Sequence, residues 1–190
     1  MRKNKVLFIL NSLTAGGAEK QTISLVNGLD KDEFELGLVY LDPVDTLLPQ
    51  IDAGRLDVLE CVYRKKRFDR HVIRELNRLI LRYKYNIVVC VGPYPLVYAF
   101  SCRLSGKHHF RILEIFHLTI PRPDIWTKIK NRLLFKHLMN RCEKNVFVCR
   151  NQMTHWVKNF SIQKDRSLYI YNGVDVTRFS DNIPEGQKQQ

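Results

Sequence analysis

Short apolar runs alternate with amphipathic ones along the whole chain, and that alternation constrains the fold more than any other feature. "KVLFILNSL" reads as a strand and "AEKQTISLVNGL" as a helix. "FELGLVYL" and "LDVLECV" read as strands, joined by "DTLLPQIDAG", which is too short for a full crossover helix. From Asp69 to Lys84, Val72, Leu76, Leu79 and Tyr83 keep helical spacing, with Ile73 and Ile80 beside them. "NIVVCVG" follows as a strand, "LVYAFSCRLSG" as a helix ended by Gly106, and "FRILEIFH" as a strand. "DIWTKIKNRLLFKHLMNRC" reads as a long basic helix, "KNVFVCR" as a strand, "NQMTHWVKNF" as a helix and "SLYIYNG" as a last strand.

The strands are apolar on both faces, as buried parallel strands are. The expected fold is therefore one doubly wound α/β domain, a mainly parallel, Rossmann-like sheet of about seven strands. In such sheets ligands bind beyond the carboxyl ends of the strands. The residues to watch are those that follow strands: Gly16 and Gly17, Gly92 to Pro95, His117, and Arg150 to Gln152.

Composition narrows the class. No stretch approaches the roughly 18 to 20 apolar residues of a spanning helix. The N-terminus has a basic start and a short apolar run like a leader peptide, but Asn11 and Ser12 break the run, and it reads as a first buried strand. The five cysteines are widely spaced and form no C-x-x-C pair, so they read as small buried hydrophobes in a reducing cytosol rather than a disulfide framework or a metal site. The 31 basic residues outweigh 19 acidic ones, a net charge of +12, which implies an anionic partner.

The glycine pair in "NSLTAGGAEK" sits between a strand and a helix. It allows a tight turn or the close approach of a ligand to the backbone, and the helix N-terminus after it offers free N–H groups to an anion.

Four strand ends, taken in order, resemble the N-terminal half of family 4 retaining glycosyltransferases, which have the GT-B fold. The matching pieces are "GGAEK" after the first strand, "EIFH" closing the fifth, "VFVCRNQM" at the sixth and "YNGVDVTRF" after the seventh. The resemblance implies a Rossmann-like domain over residues 1–179 and a linker or tail over 180–190, with a C-terminal donor-binding domain outside this chain. It implies the acceptor-binding half of an enzyme that moves a sugar from a nucleotide-sugar to a glycan or lipid-linked acceptor, in cell-surface polysaccharide or glycolipid synthesis. Neither cofactor nor metal is implied; the nucleotide-sugar is a substrate.

Residue by residue, the resemblance puts Gly16 and Gly17 beside the donor's diphosphate and His117 beside the reacting sugar. Glu19 holds the loop or caps the helix. Asn172, Gly173 and Asp175 belong to the hinge toward the missing half. Tyr94 stacks on an acceptor sugar or packs on the following helix. Arg150 and Asn151 stand where many relatives carry a small hydroxyl residue. Arg150 is thus either a binder of acceptor phosphate or carboxylate or a plain surface charge.

The block Arg64, Lys65, Lys66, Arg67 and Phe68 reads as a membrane contact, because adjacent cations repel one another without a counter-anion. Basic clusters contribute about 1 kcal/mol per residue near anionic lipid, and several relatives use polyprenyl- or phospholipid-linked acceptors. The expected location is cytoplasmic, peripheral to the inner face of the cell membrane. Two other readings compete. A nicotinamide-dependent dehydrogenase would use Asp42 on the ribose, but G-x-G-x-x-G spacing is absent. A nucleic-acid-binding α/β domain would explain the charge but leaves "GGAEK", His117 and "NGVD" without a role, so no nucleic-acid partner is expected.

Overall fold

Backbone hydrogen bonds of the apolar segments find their partners in one seven-stranded sheet, ordered β3-β2-β1-β4-β5-β6-β7, in a computed structural model that describes residues 3–105, 108–117 and 133–173. Its elements are β1 (Asn4–Leu10), α1 (Gly17–Gly28), β2 (Phe34–Tyr40), β3 (Leu56–Cys61), α2 (Arg70–Tyr83), β4 (Ile87–Val91) and α3 (Pro93–Ser105). They continue with β5 (Arg111–Phe116), α4 (residues 133–139), β6 (Lys144–Phe147), α5 (Arg150–Phe160) and β7 (Ser167–Tyr169). Every strand pair is parallel, so the mainly parallel sheet foreseen from the sequence is wholly parallel. The β2–β3 connection carries only two short 3-10 turns, at Leu48–Gln50 and Ala53–Arg55. The Asn27 side chain holds it down, donating to Gln50 O at 2.8 Å and accepting from Asp52 N at 3.0 Å.

The winding reverses once. β1 to β3 build outward on one side of β1, and the chain then returns to place β4 on its other side. The two faces are covered unequally. Leu7, Ile9, Val88, Cys90, Ile112, Phe116 and Phe147 share a core with residues of α2, α3, α4 and α5. Val6, Phe8, Leu10, Leu36, Leu38, Val89 and Val91 pack with Ile23 and Val26 of α1 and with Leu47 and Ile51 of the β2–β3 connection.

Helix ends follow local chemistry. The Asp69 carboxylate caps α2 by accepting from His71 N at 2.9 Å, and Lys84 closes that helix at φ 57°. Cys149 caps α5, its sulfur accepting from Gln152 N at 3.4 Å. Two boundaries differ from the sequence reading. The sixth and seventh strands are shorter, because Cys149 already caps a helix and pairing on β7 ends at Tyr169. α3 starts at Pro93 rather than Leu96, proline being suited to a first helical position. Gly106 and most of "DIWTKIKNRLLFKHLMNRC" lie outside the described residues.

Gly37 on β2 faces the fully buried ring of Tyr85: a Cβ at Gly37 would collide with the phenol oxygen and lie 2.7 Å from Cζ. That oxygen has no hydrogen-bond partner. Gly37→Ala should therefore cost about 1–3 kcal/mol by overpacking. Tyr85→Phe alone should be near neutral and should recover part of the loss in the double variant, as read from urea unfolding midpoints.

Candidate functional site

The carboxyl ends of β1, β4 and β5 open into a cleft of about 800 Å³. The loop after β1 supplies Asn11, Gly16, Gly17 and Glu19; the turn after β4 supplies Gly92, Pro93 and Tyr94; β5 ends in Phe116 and His117. α4 and α5 add Leu134, Phe135 and Trp156, the β3–α2 loop adds Arg67 and Phe68, and Asn172 reaches in from beyond β7. The cleft thus stands where the winding reverses between β1 and β4, the expected binding position in an open α/β sheet.

Two glycines shape this end of the sheet, and one of them is required by its backbone. Gly92 has φ 101°, a left-handed conformation that side chains strain to adopt, and a Cβ there would also press on Asn11 Nδ2 at 3.2 Å. Gly16 caps α1 with extended backbone, and the Glu19 carboxylate folds back into the space that a Cβ on Gly16 would fill. No side chain hydrogen-bonds the cap of α1. Its first N–H groups therefore face the cleft with the positive end of the helix dipole, an arrangement that favours an anion. The Glu19 carboxylate lies over the Gly16 backbone.

His117 is half-buried, and burial lowers its pKa from the ordinary imidazole value. At neutral pH it is an uncharged ring with one donor and one acceptor nitrogen. The floor beside it is aromatic. Phe116 lies 4.5 Å from Trp156 and 5.8 Å from Phe147, centroid to centroid, and Trp156 stacks on Phe160 at 4.2 Å. Apolar walls exclude water and strengthen the polar contacts made there.

The β3–α2 wall gives the residues Arg64 to Phe68 unequal surroundings. Arg64 has its counter-anion: Nε and Nη2 donate to the two oxygens of Asp42, each at 2.8 Å. That hydrogen bond raises the arginine's pKa further, and its guanidinium lies 4.2 Å over the Tyr94 ring. Phe68 stacks parallel to Tyr98 at 5.8 Å, and the Tyr98 hydroxyl accepts the Asp69 N–H at 2.9 Å. Arg64 and Asp42 brace the cleft wall, while Arg67 and Phe68 line it; Lys65 and Lys66 remain exposed. Asp42 is occupied by the arginine, away from the ribose role considered above.

The structure brings Gly16, Gly17, Glu19, Tyr94, His117 and Asn172 together. Tyr94 belongs to the first turn of α3 rather than to a loop before it; it is half-buried against the core, and its ring also lines the cleft. Arg150 and Asn151 do not reach the cleft: they are exposed in the first turn of α5, because the strand ends earlier than its apolar run suggested. The Gly173 carbonyl accepts from Gln21 Nε2 at 3.0 Å, tying the chain after β7 to α1. Asp175 lies outside the described residues. Sequence reasoning missed Asn11, Phe116 and Trp156. Asn11, polar immediately after the apolar strand and with a buried, unpartnered Oδ1, carried a legible signal. Trp156 carried none, since its place depends on how α5 packs. Among the described residues no group of three or more His, Cys, Asp and Glu could hold a metal ion, and no helix is long and apolar enough to cross a membrane.

The model of Glycosyltransferase Family 4 matches residues 15–178. No curated protein matches the chain. Among solved structures, the chain is similar to a glycosyltransferase from Rickettsia africae ESF-5, with TM-score 0.75 and 19% identity over 98% of this chain and 48% of that one. It is also similar to Anabaena Alr3699/HepE in complex with UDP, with TM-score 0.69 and 20% identity over 91% and 45%. The lipopolysaccharide outer core galactosyltransferase WaaB matches with TM-score 0.64 and 14% identity over 90% and 46%. The chain spans about half the length of these structures.

The ion pair and the exposed lysines should separate cleanly. Arg64→Ala should lower stability by about 1–2 kcal/mol through loss of a bidentate charge-assisted pair. Lys65→Ala and Lys66→Ala should stay within about 0.5 kcal/mol of the parent. Thermal unfolding of the three variants at one ionic strength measures this.

Proposed function

Because the chain belongs to Glycosyltransferase Family 4, we propose that it is the acceptor-binding half of an enzyme that transfers a sugar, with retention, from a nucleotide-sugar to a glycan or lipid-linked acceptor. The observation that carries this reading is convergence: the glycine loop at an uncapped helix N-terminus, the Gly92 turn and the neutral His117 all open onto one apolar cleft at the sheet's switch point.

In this mechanism the N-terminus of α1 and the bare backbone at Gly16 and Gly17 face the donor's diphosphate as it becomes the leaving group. His117 hydrogen-bonds the transferred sugar or the acceptor hydroxyl, through contacts that strengthen as the bond breaks. Tyr94 and Phe68 offer faces on which a sugar ring or an apolar acceptor chain stacks, above a floor that the buried Trp156 supports. The rest of the donor site lies on a second Rossmann-like domain, reached through the hinge at Asn172, Gly173 and Asp175. Alr3699/HepE has been solved with UDP-glucose, which supports a nucleotide-sugar as the donor class. Peripheral attachment at the cytoplasmic face of the membrane belongs to the same proposal, now resting on Lys65 and Lys66 with Arg67 at the cleft mouth.

The 190-residue chain alone should fold but show no turnover with UDP-glucose and weaker than micromolar affinity for it by calorimetry; turnover or tight binding would overturn the two-domain account. In the full-length enzyme, His117→Ala should lower kcat by about 10²-fold or more with an unchanged thermal midpoint. A near-normal rate, or a collapsed midpoint, would assign His117 to structure instead.

The membrane component is separable. The chain should sediment with anionic phosphatidylglycerol vesicles and not with phosphatidylcholine, and release as salt rises. Replacing Lys65, Lys66 and Arg67 by Gln should remove most of that binding; retention by the triple variant would make the cluster an ordinary solvated surface.

A further inference from the structure

Glu114 lies on β5, three residues before His117, with 0% of its surface exposed. It shares a sheet face with Ile112 and Phe116, in the larger of the two cores. Among the described residues neither carboxyl oxygen has a hydrogen-bond partner. A buried carboxyl without a partner is costly to keep, and as an ion far more so.

The register gives it a complementary neighbour. Glu114 is aligned with Asn145 on β6, itself 0% exposed. Asn145 Nδ2 donates to Met139 O at 3.0 Å, but its Oδ1 has no donor among the described residues. Adjacent strands run about 4.8 Å apart, a span that a glutamate side chain crosses by rotating its terminal bonds. Two orphaned groups thus stand side by side, one an acceptor and the other a donor if it carries a proton. On its other side Glu114 is aligned with Cys90, the penultimate residue of β4, and the Gly92 N–H faces the carboxyl outside hydrogen-bonding geometry.

We propose that Glu114 is a positioning residue for the cleft, a carboxylic acid that donates its proton to Asn145 Oδ1 and receives the Gly92 N–H on its other oxygen. The bridge joins two walls. Gly92 precedes α3, which carries Tyr94. Asn145 is tied through Met139 O to the end of α4, which carries Leu134 and Phe135. The acid fixes the distance between these walls from behind, without touching a ligand.

The electrostatic surroundings agree. Burial pushes the Glu114 carboxyl well above the ordinary glutamate range, opposed only by the Gly92 N–H. The titratable groups around it are thiols: Cys90 on β4, Cys102 on α3, pushed up to about 12, and Cys142 before β6, all raised chiefly by burial and neutral at pH 7. Arg103 on α3 and Glu143 pair with each other at 3.4 Å. His117 follows on the same strand with its ring in the cleft. No cation among the described residues pairs with Glu114.

Infrared spectroscopy of the 190-residue chain at pH 7 tests this independently of any transfer activity, so a failed activity assay leaves it standing. A protonated-carboxyl band is expected, lost in Glu114→Gln and shifted in Asn145→Ala. Absence of the band, or its indifference to Asn145→Ala, overturns the proposal. Because the folded-state pKa is raised, the acid's contribution to stability is full below the unfolded value and declines as pH rises toward the folded one. The thermal midpoint of Glu114→Gln relative to the parent should therefore climb between pH 4 and pH 8; a constant difference counts against the proposal. Glu114→Leu, an apolar replacement of similar size, should shift the amide resonances of Gly92, Tyr94 and Leu134, whereas Glu114→Gln should leave them near their parent positions. Unchanged resonances in Glu114→Leu would make the residue mere filling. Should that variant not fold, the infrared band and the pH dependence of Glu114→Gln decide alone.

Discussion

The parallel pairing of β1 with β4 is the constraint on which the rest depends. β1 is hydrogen-bonded on both sides, to β2 from Asn4 to Leu10 and to β4 from Val6 to Leu10, and its central residues are apolar on both faces. Because the chain turns back at this pair, the segments leaving β1 and β4 part to opposite faces: α1 packs on one core and α3 on the other. A gap between diverging connections is unavoidable there, and the cleft occupies it. The same geometry explains why two glycines stand here. Gly16 and Gly92 stand where neighbouring strands release their chains close together, and each meets a side chain of the opposite loop or of its own helix.

Charge is distributed differently from what the basic composition implies on its face. The arginine nearest β3 is consumed by Asp42 and held under an aromatic ring. It stabilises a wall, and its field is largely neutralised locally. Among the described residues the positive character at the cleft comes from Arg67 and from the dipole of α1, beside which the Glu19 carboxylate lies. A short-range positive rim over an apolar floor suits a ligand with one anionic end and an apolar or ring-shaped body better than it suits an extended polyanion, whose recognition needs charge along a continuous track.

The floor is rigid for a reason visible in its contacts. Phe116, Phe135, Phe147, Trp156 and Phe160 form one aromatic cluster drawn from β5, α4, β6 and α5. Rings of this kind pack in few orientations, so His117, next in sequence to Phe116, inherits a defined position. Its depressed pKa follows from the same burial.

The order of elements, the parallel sheet and the strand-end placing of Gly16, Gly17, Gly92 and His117 were legible from periodicity alone, because a strand buried on both faces and an amphipathic helix impose different spacings on a one-dimensional string. The ends of β6 and β7 were not, since an apolar run continues past the last ladder bond into residues that pack on a helix. Arg64 to Phe68 illustrates the larger gap. Four adjacent cations read alike in the sequence, yet Arg64 is paired, Arg67 lines the cleft, and Lys65 and Lys66 only face outward, because Asp42, Tyr94 and Tyr98 approach from other elements. The alignment of Glu114 with Asn145 was equally hidden. Local propensity acts through neighbours in the chain, whereas ion pairs, aromatic stacks and strand register are settled by contacts between segments far apart in it, and only the folded arrangement brings those together.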